Sequence, residues 1–249
     1  MKPPVFGRKP TPSAPPPADH DPGHAAVLRR LDEEDRTDPT VRLKLAGDIV
    51  FDLVYRFVAS ERGARIEDML GILGATGGFS CIAGVMLFLG QTGKSPEEVG
   101  MAIVRGDDGN LYYFGDMPNA SLLESENALL SLTLGAAHAL GAPVTLALVH
   151  EVMKHVAATV GGPEFGIPRL PPEHRPGDRP IEYVRHFWPK LREALGEYEV
   201  PLAGRTSAIG FAVQRAIDRG KDVLDPLLAA RIVIEYAVPM AKIDPKRFD

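Results

Sequence analysis

Few residues in this chain combine the types and spacing that catalysis or ligand capture demands. Its only cysteine, Cys81, lies in "GGFSCIAG", residues 77 to 84, after paired glycines and ahead of an apolar run. A thiol in the first turn of a helix feels the positive end of the helix dipole, which favours the nucleophilic thiolate. Gly77 and Gly78 would also let backbone amides approach an oxyanion. Such a nucleophile still needs a base within hydrogen-bond reach, and His138, His150 and His155 fall in helical segments with no local signature. Ile82, Val85, Met86 and Phe88 follow closely, so Cys81 is expected to pack in the interior.

Three further patterns fail on geometry. "GQTGKS", Gly90 to Ser95, ends like a phosphate-binding loop, but the glycine required five positions before Gly93 is Phe88. Ser95, Pro96 and Glu98 instead read as a cap, a first-turn proline and a capping-box acid. "HEVMKH", His150 to His155, has a spacing of five, which turns the two imidazoles about 140° apart on one helix. Only Glu151 and His155 share a face, and no second ligand pair completes a metal site. Asp48 and Asp52 would suit paired metal carboxylates; with Lys44 and Arg56 at matching spacing, helical ion pairs Lys44–Asp48 and Asp52–Arg56 are expected.

One constellation retains a ligand-binding expectation. In "YYFGDMPNAS" a hairpin delivers Asp116, Asn119 and Ser121 to a turn just before a helix start. Helix N-termini expose unpaired amides that favour anions, so this junction is the candidate site for a small polar ligand, although capping alone accounts for Asn119 or Ser121. The second candidate surface is the proline-rich loop, residues 161–180, carrying Arg169, His174, Arg175 and Arg179, whose guanidinium groups suit carboxylates.

The elements that must position these groups are mostly helical. Residues 1–23 hold eight prolines and few large apolar groups, and read as a tail or an arm reaching a neighbouring subunit. From Val41, apolar residues recur at Leu45, Ile49, Val50, Leu53 and Phe57, one face of a helix. Helices are expected over Ile66 to Leu73 and Cys81 to Leu89, separated by "ATGG". A hairpin is expected over 101 to 115 around "GDDGN". Further helices are expected from Ser121, capped by Glu124, to Leu140; from about Leu146 to Val160; from Ile181, with Pro189 able to divide it; from Thr206; and from Asp225-Pro226. The loop at 161–180 holds six prolines and no periodicity. The fold class is therefore mainly α: a single multi-helix domain, 24–249, with one short β-hairpin, preceded by the Pro-rich N-terminal tail.

Composition narrows the function classes. With 45% apolar and 24% charged residues, the 249-residue chain has the make-up of a globular protein. A formal net charge of −5 argues against nucleic acid. Met69 to Gly93 and Asn127 to His150 lack formal charge, yet each is interrupted near its middle, so core helices rather than membrane spans are expected. The N-terminus has no apolar signal core and a lone cysteine closes no disulfide within the chain, which makes the cytoplasm the expected compartment. No cofactor is implied. The leading expectation is a binding or assembly protein that forms a homo-oligomer and holds a small polar ligand. The alternative is a hydrolase-type enzyme using Cys81 or Asp116 with a histidine brought close by folding.

Overall fold

A computed structural model describes residues 22–61 and 63–248. Nearly all of the expected tail, residues 1–21, lies outside the described residues. The chain runs through α1 (Pro22–Glu34), α2 (Val41–Val58) and α3 (Ile66–Thr92), then β1 (Met101–Arg105) and β2 (Leu111–Gly115). A single helical turn, α4 (Asp116–Asn119), leads to α5 (Leu129–Ala139), α6 (Leu146–Thr159), α7 (Pro180–Glu197), α8 (Arg205–Gly220) and α9 (Pro226–Met240). The mainly helical architecture with one hairpin is thus as the sequence implies.

The organising element is α3, which is apolar around its circumference and buried continuously from Met69 to Ile82. It is packed by α7, α8 and α9. The sequence suggests two helices broken at "ATGG"; the structure has one unbroken helix through that point. The glycines there are contact surfaces rather than stops. A Cβ on Gly74 would lie 2.8 Å from the carbonyl oxygen of Val233, and one on Gly78 would lie 2.0 Å from that of Ala237, both in α9. Each helical glycine costs about 1 kcal/mol in propensity, which the close approach of two helix backbones offsets through dispersion and burial. Buried hydroxyls inside this packing bond to their own helix: Thr76 donates to the Ile72 carbonyl at 2.7 Å, and Thr133 to that of Leu129 at 2.7 Å. Among the described residues, α3 is the one helix long and apolar enough to cross a membrane, and most of it is buried against its neighbours.

The hairpin forms in the expected place, with Met101 opposite Gly115 and Arg105 opposite Leu111. Gly109 adopts φ 78° in its turn, a conformation that disfavours side chains. The outer edge of β2 is tied to the chain after α9, where the Tyr113 amide donates to the Lys242 carbonyl at 2.8 Å. The helix expected from Ser121 does not start there. Ala120–Glu124 form one wide π turn, and α5 begins at Leu129 after an extended Ala128. Ser121 lies inside that turn and makes no cap bond, so the capping box with Glu124 is not formed. By contrast, Asp225 caps α9 through the Leu228 amide at 3.0 Å, and Pro189 leaves α7 undivided.

Two other local expectations change once the helices are assembled. Asp48 and Asp52 both pair with Arg215 of α8, at 2.6 and 3.7 Å, while Lys44 pairs with Asp38. The partners lie across an interhelical seam rather than along α2, because the polar stripe of α2 borders α8. The 161–180 loop is fastened at several points. His174 meets Glu67 at 3.0 Å, the Gly177 amide donates to Asp68 at 2.7 Å, and the Tyr236 hydroxyl donates to the Asp178 carbonyl at 2.9 Å.

The glycine contacts give a direct expectation. Gly78→Ala, which forces α3 away from α9, lowers stability by about 3 kcal/mol or more in urea titrations. Gly90→Ala, on the same helix with open space beside it, is neutral or raises stability by up to about 1 kcal/mol.

Candidate functional site

The C-terminal half of α3 behaves differently from its glycine-packed centre. Phe79, Ala83, Met86 and Gly90 recur at intervals of four, three and four, so they form one stripe along the helix. That stripe borders a cavity of about 610 Å³. Gly84 and Gly90 leave it open: a Cβ on Gly84 would meet nothing closer than 3.7 Å, and one on Gly90 nothing within 4 Å.

The remaining walls come from three distant segments. On α7, Trp188 and Arg192 stand four residues apart and therefore face the same way. Leu202 and Arg205 come from the turn entering α8, and Pro245 to Phe248 form a 3-10 turn that crosses the far side. The base is aromatic. Phe79 packs edge-on against Trp188 at 5.2 Å and against Phe248 at 5.1 Å between ring centres. Ser80 contributes to this wall, and it accepts a bond from the Thr206 hydroxyl behind it at 3.2 Å, with both residues buried.

Charge on the walls is one-sided. Lys94, Arg192, Arg205 and Lys246 line the cavity against one carboxylate, Asp244. Arg205 is half-buried, and its Nε donates to the Val200 carbonyl at 3.4 Å. Burial, together with the neighbouring Arg192 charge, pulls its pKa down. That direction marks a guanidinium whose charge is not balanced by its surroundings. Lys94 belongs to the "GQTGKS" segment. The adjacent Ser95 and Glu98 exchange reciprocal bonds, Ser95 amide to Glu98 at 2.6 Å and Glu98 amide to Ser95 at 3.4 Å, so this segment is a capped turn and not a phosphate loop.

Cys81 is the neighbour of Ser80 in sequence but does not line the cavity. It sits in the middle of α3, not at an N-terminus, and is 2% exposed. Its Sγ donates to the Gly77 carbonyl at 3.4 Å. Burial pushes its thiol up to about 12, outweighing the opposing pull of Thr206 and Lys242. A thiol held protonated inside a helix bundle lacks the activation that the paired glycines suggest.

The junction residues Asp116, Asn119 and Ser121 are placed by α4 and the π turn. Asp116 is exposed at the start of α4, and Ser121 is half-buried. Asn119 has a definite partner: its Oδ1 accepts from Lys242 Nζ at 2.8 Å. Lys242 is 4% exposed, and burial pulls its ammonium down to about 8. The Phe114 ring, 5.5 Å away, offers its face to the same ammonium. Asn119 therefore solvates a buried cation. Neither of the two cavities described here is lined by these three residues.

Of the loop candidates, Arg169, His174 and Arg175 have partners within the fold, and Arg179 is exposed. Arg169 meets Glu151 at 3.2 Å and the buried Glu235 at 3.3 Å, and Arg231 joins both acids at 3.4 and 3.7 Å. This network borders a second cavity of about 420 Å³. The loop guanidinium of Arg169 thus binds carboxylates of its own fold. No cluster of three or more histidine, cysteine or acidic side chains suited to a metal occurs among the described residues. Sequence reasoning missed Trp188, Arg192, Arg205 and Lys246; only the Trp188–Arg192 spacing carried a local signal.

Compared with known proteins, the chain matches no family model, no curated protein and no solved structure. The functional reading rests on geometry.

Lys242 yields a pH dependence. Below about 8 both folded and unfolded chains carry its proton, and the fold bears the full penalty of a buried charge. Between about 8 and the ordinary 10.5 the unfolded chain binds more protons, so stability rises with pH. From pH 8 to 9, the stability of the native chain is expected to climb relative to Lys242→Met by up to about 1.4 kcal/mol. Urea titrations at closely spaced pH values measure the difference.

Proposed function

We propose that this chain is a small-ligand-binding protein whose ligand occupies the cavity between α3, α7, the start of α8 and the C-terminal turn. The observation that carries this reading is the cavity itself. At about 610 Å³ it falls within the range of roughly 300–1,000 Å³ that holds small organic ligands. Its aromatic base is preformed, and its opening is kept by glycines rather than by mobile side chains. The hydrolase alternative through Cys81 has less support, because a buried, protonated thiol does not meet a substrate.

A second, compatible reading is self-association. β1 pairs with β2 on one edge, and Ile103 and Val104 are 41% and 39% exposed. An apolar edge strand of this kind is a template for pairing with a second copy of the chain.

Both readings lead to measurements. The sequence contains one tryptophan, Trp188, and it lines the cavity. Titration with the uncharged fluorescent probe N-phenyl-1-naphthylamine is expected to quench Trp188 saturably at one site per chain. Ala83→Phe, which fills the α3 stripe, is expected to abolish the quenching while leaving the far-ultraviolet circular dichroism intact. Quenching that persists unchanged in Ala83→Phe would remove the cavity as the site. For self-association, sedimentation velocity is expected to show a concentration-dependent dimer that Val104→Lys dissociates; a strict monomer at high concentration refutes it.

A further inference from the structure

Taking the binding reading above as its basis, we propose that the ligand is a small amphipathic anion: an apolar chain or ring lies on the aromatic base, and a carboxylate or phosphate head meets Arg192 and Arg205. Three observations converge on this class. The first is the pairing of surfaces within one cavity, with Phe79, Trp188 and Phe248 at the base and Lys94, Arg192, Arg205 and Lys246 on the walls. The second is the absence of compensation. None of those four cations makes a salt bridge among the described residues, and one carboxylate, Asp244, shares the walls with them. The third is the setting, since the chain as a whole carries a net charge of −5. A cationic concentration on an acidic protein is a local feature that the average charge opposes.

The physics favours an anion over a neutral ligand. Arg205 is half-buried while Lys94, Arg192 and Lys246 are exposed at the rim; four like charges converging on one concave, partly apolar surface raise the local attraction for a negative head. Arg192 and Arg205 repel one another, and that repulsion contributes to the lowered pKa of Arg205. An anionic head placed between them relieves the repulsion and satisfies guanidinium donors in charge-assisted bonds. The apolar base then supplies binding energy that a bare inorganic anion does not gather. A cationic amphiphile meets the same base with the wrong charge.

The test compares one chain length with four heads: decanoate, decyl phosphate, decanol and decyltrimethylammonium, each below its micelle concentration and followed through Trp188. Decanoate or decyl phosphate is expected to bind at least tenfold more tightly than decanol, with the ammonium weakest. Arg192→Gln combined with Arg205→Gln is expected to reduce this preference at least tenfold while retaining binding of decanol and of N-phenyl-1-naphthylamine. Retention of the uncharged probe shows that the variant is folded. Lys94→Gln combined with Lys246→Gln is the second variant, expected to produce a smaller loss of the same sign. Equal affinity for decanol and the anions, or arginine variants without effect, overturns the anion assignment and leaves the cavity reading standing. No saturable binding of any probe, N-phenyl-1-naphthylamine included, overturns the cavity reading instead. Co-sedimentation with phosphatidylglycerol vesicles in the absence of monomeric anion binding overturns the proposal in favour of a lipid surface.

Discussion

Everything in this molecule is set by how closely α3 and α9 approach one another. Gly74 and Gly78 bring the α3 backbone against the carbonyls of Val233 and Ala237, a distance at which no side chain fits. α3 runs unbroken through "ATGG" past that contact, and Cys81 lies buried in mid-helix. The contact also fixes where α9 ends. The chain leaving α9 passes Lys242 beside β2 and Asn119, then turns across Phe79 through Pro245 to Phe248. One close helix pair thus determines the docking of the hairpin and the outer wall of the cavity.

The glycines of α3 divide into two uses. Gly74 and Gly78 let two helix backbones meet, whereas Gly84 and Gly90 face open space and leave room for a ligand. A residue type that reads in sequence as a helix breaker therefore has no single structural meaning; its neighbours decide it. The same holds for small polar residues. Thr76 and Thr133 satisfy themselves on their own helices, while Ser80 and Thr206 satisfy each other across the α3–α8 seam. Buried polar groups need partners, and distance in sequence gives no hint of which arrangement is used.

Charge follows a comparable division. Glu235 is buried but meets two arginines, and Lys242 is buried but held by an amide and an aromatic face. Glu235 thus has opposite charges beside it, whereas Lys242 has only neutral partners and its burial is costly. The guanidinium groups of Arg192 and Arg205 form no salt bridge among the described residues, and they line the cavity with the aromatic base. This contrast, rather than any catalytic constellation, distinguishes the cavity from the rest of the protein.

The sequence by itself determined the helical class, the hairpin around "GDDGN", the Asp225 cap and the failure of the zinc and phosphate-loop patterns, because each depends on residues within a few positions of one another. The apolar residues that closely follow Cys81 also pointed to its interior position. Only the tertiary structure decided that α3 is one helix, that Asp48 and Asp52 reach across to Arg215, and that Asn119 serves Lys242, since these hinge on partners far apart in the chain. The cavity belongs wholly to that second group: its walls come from residues 79 to 96, 188 to 205 and 244 to 248. Local spacing reports which face of an element is apolar, but a void exists only where several such faces fail to meet, and that is settled by the packing of the assembled helices.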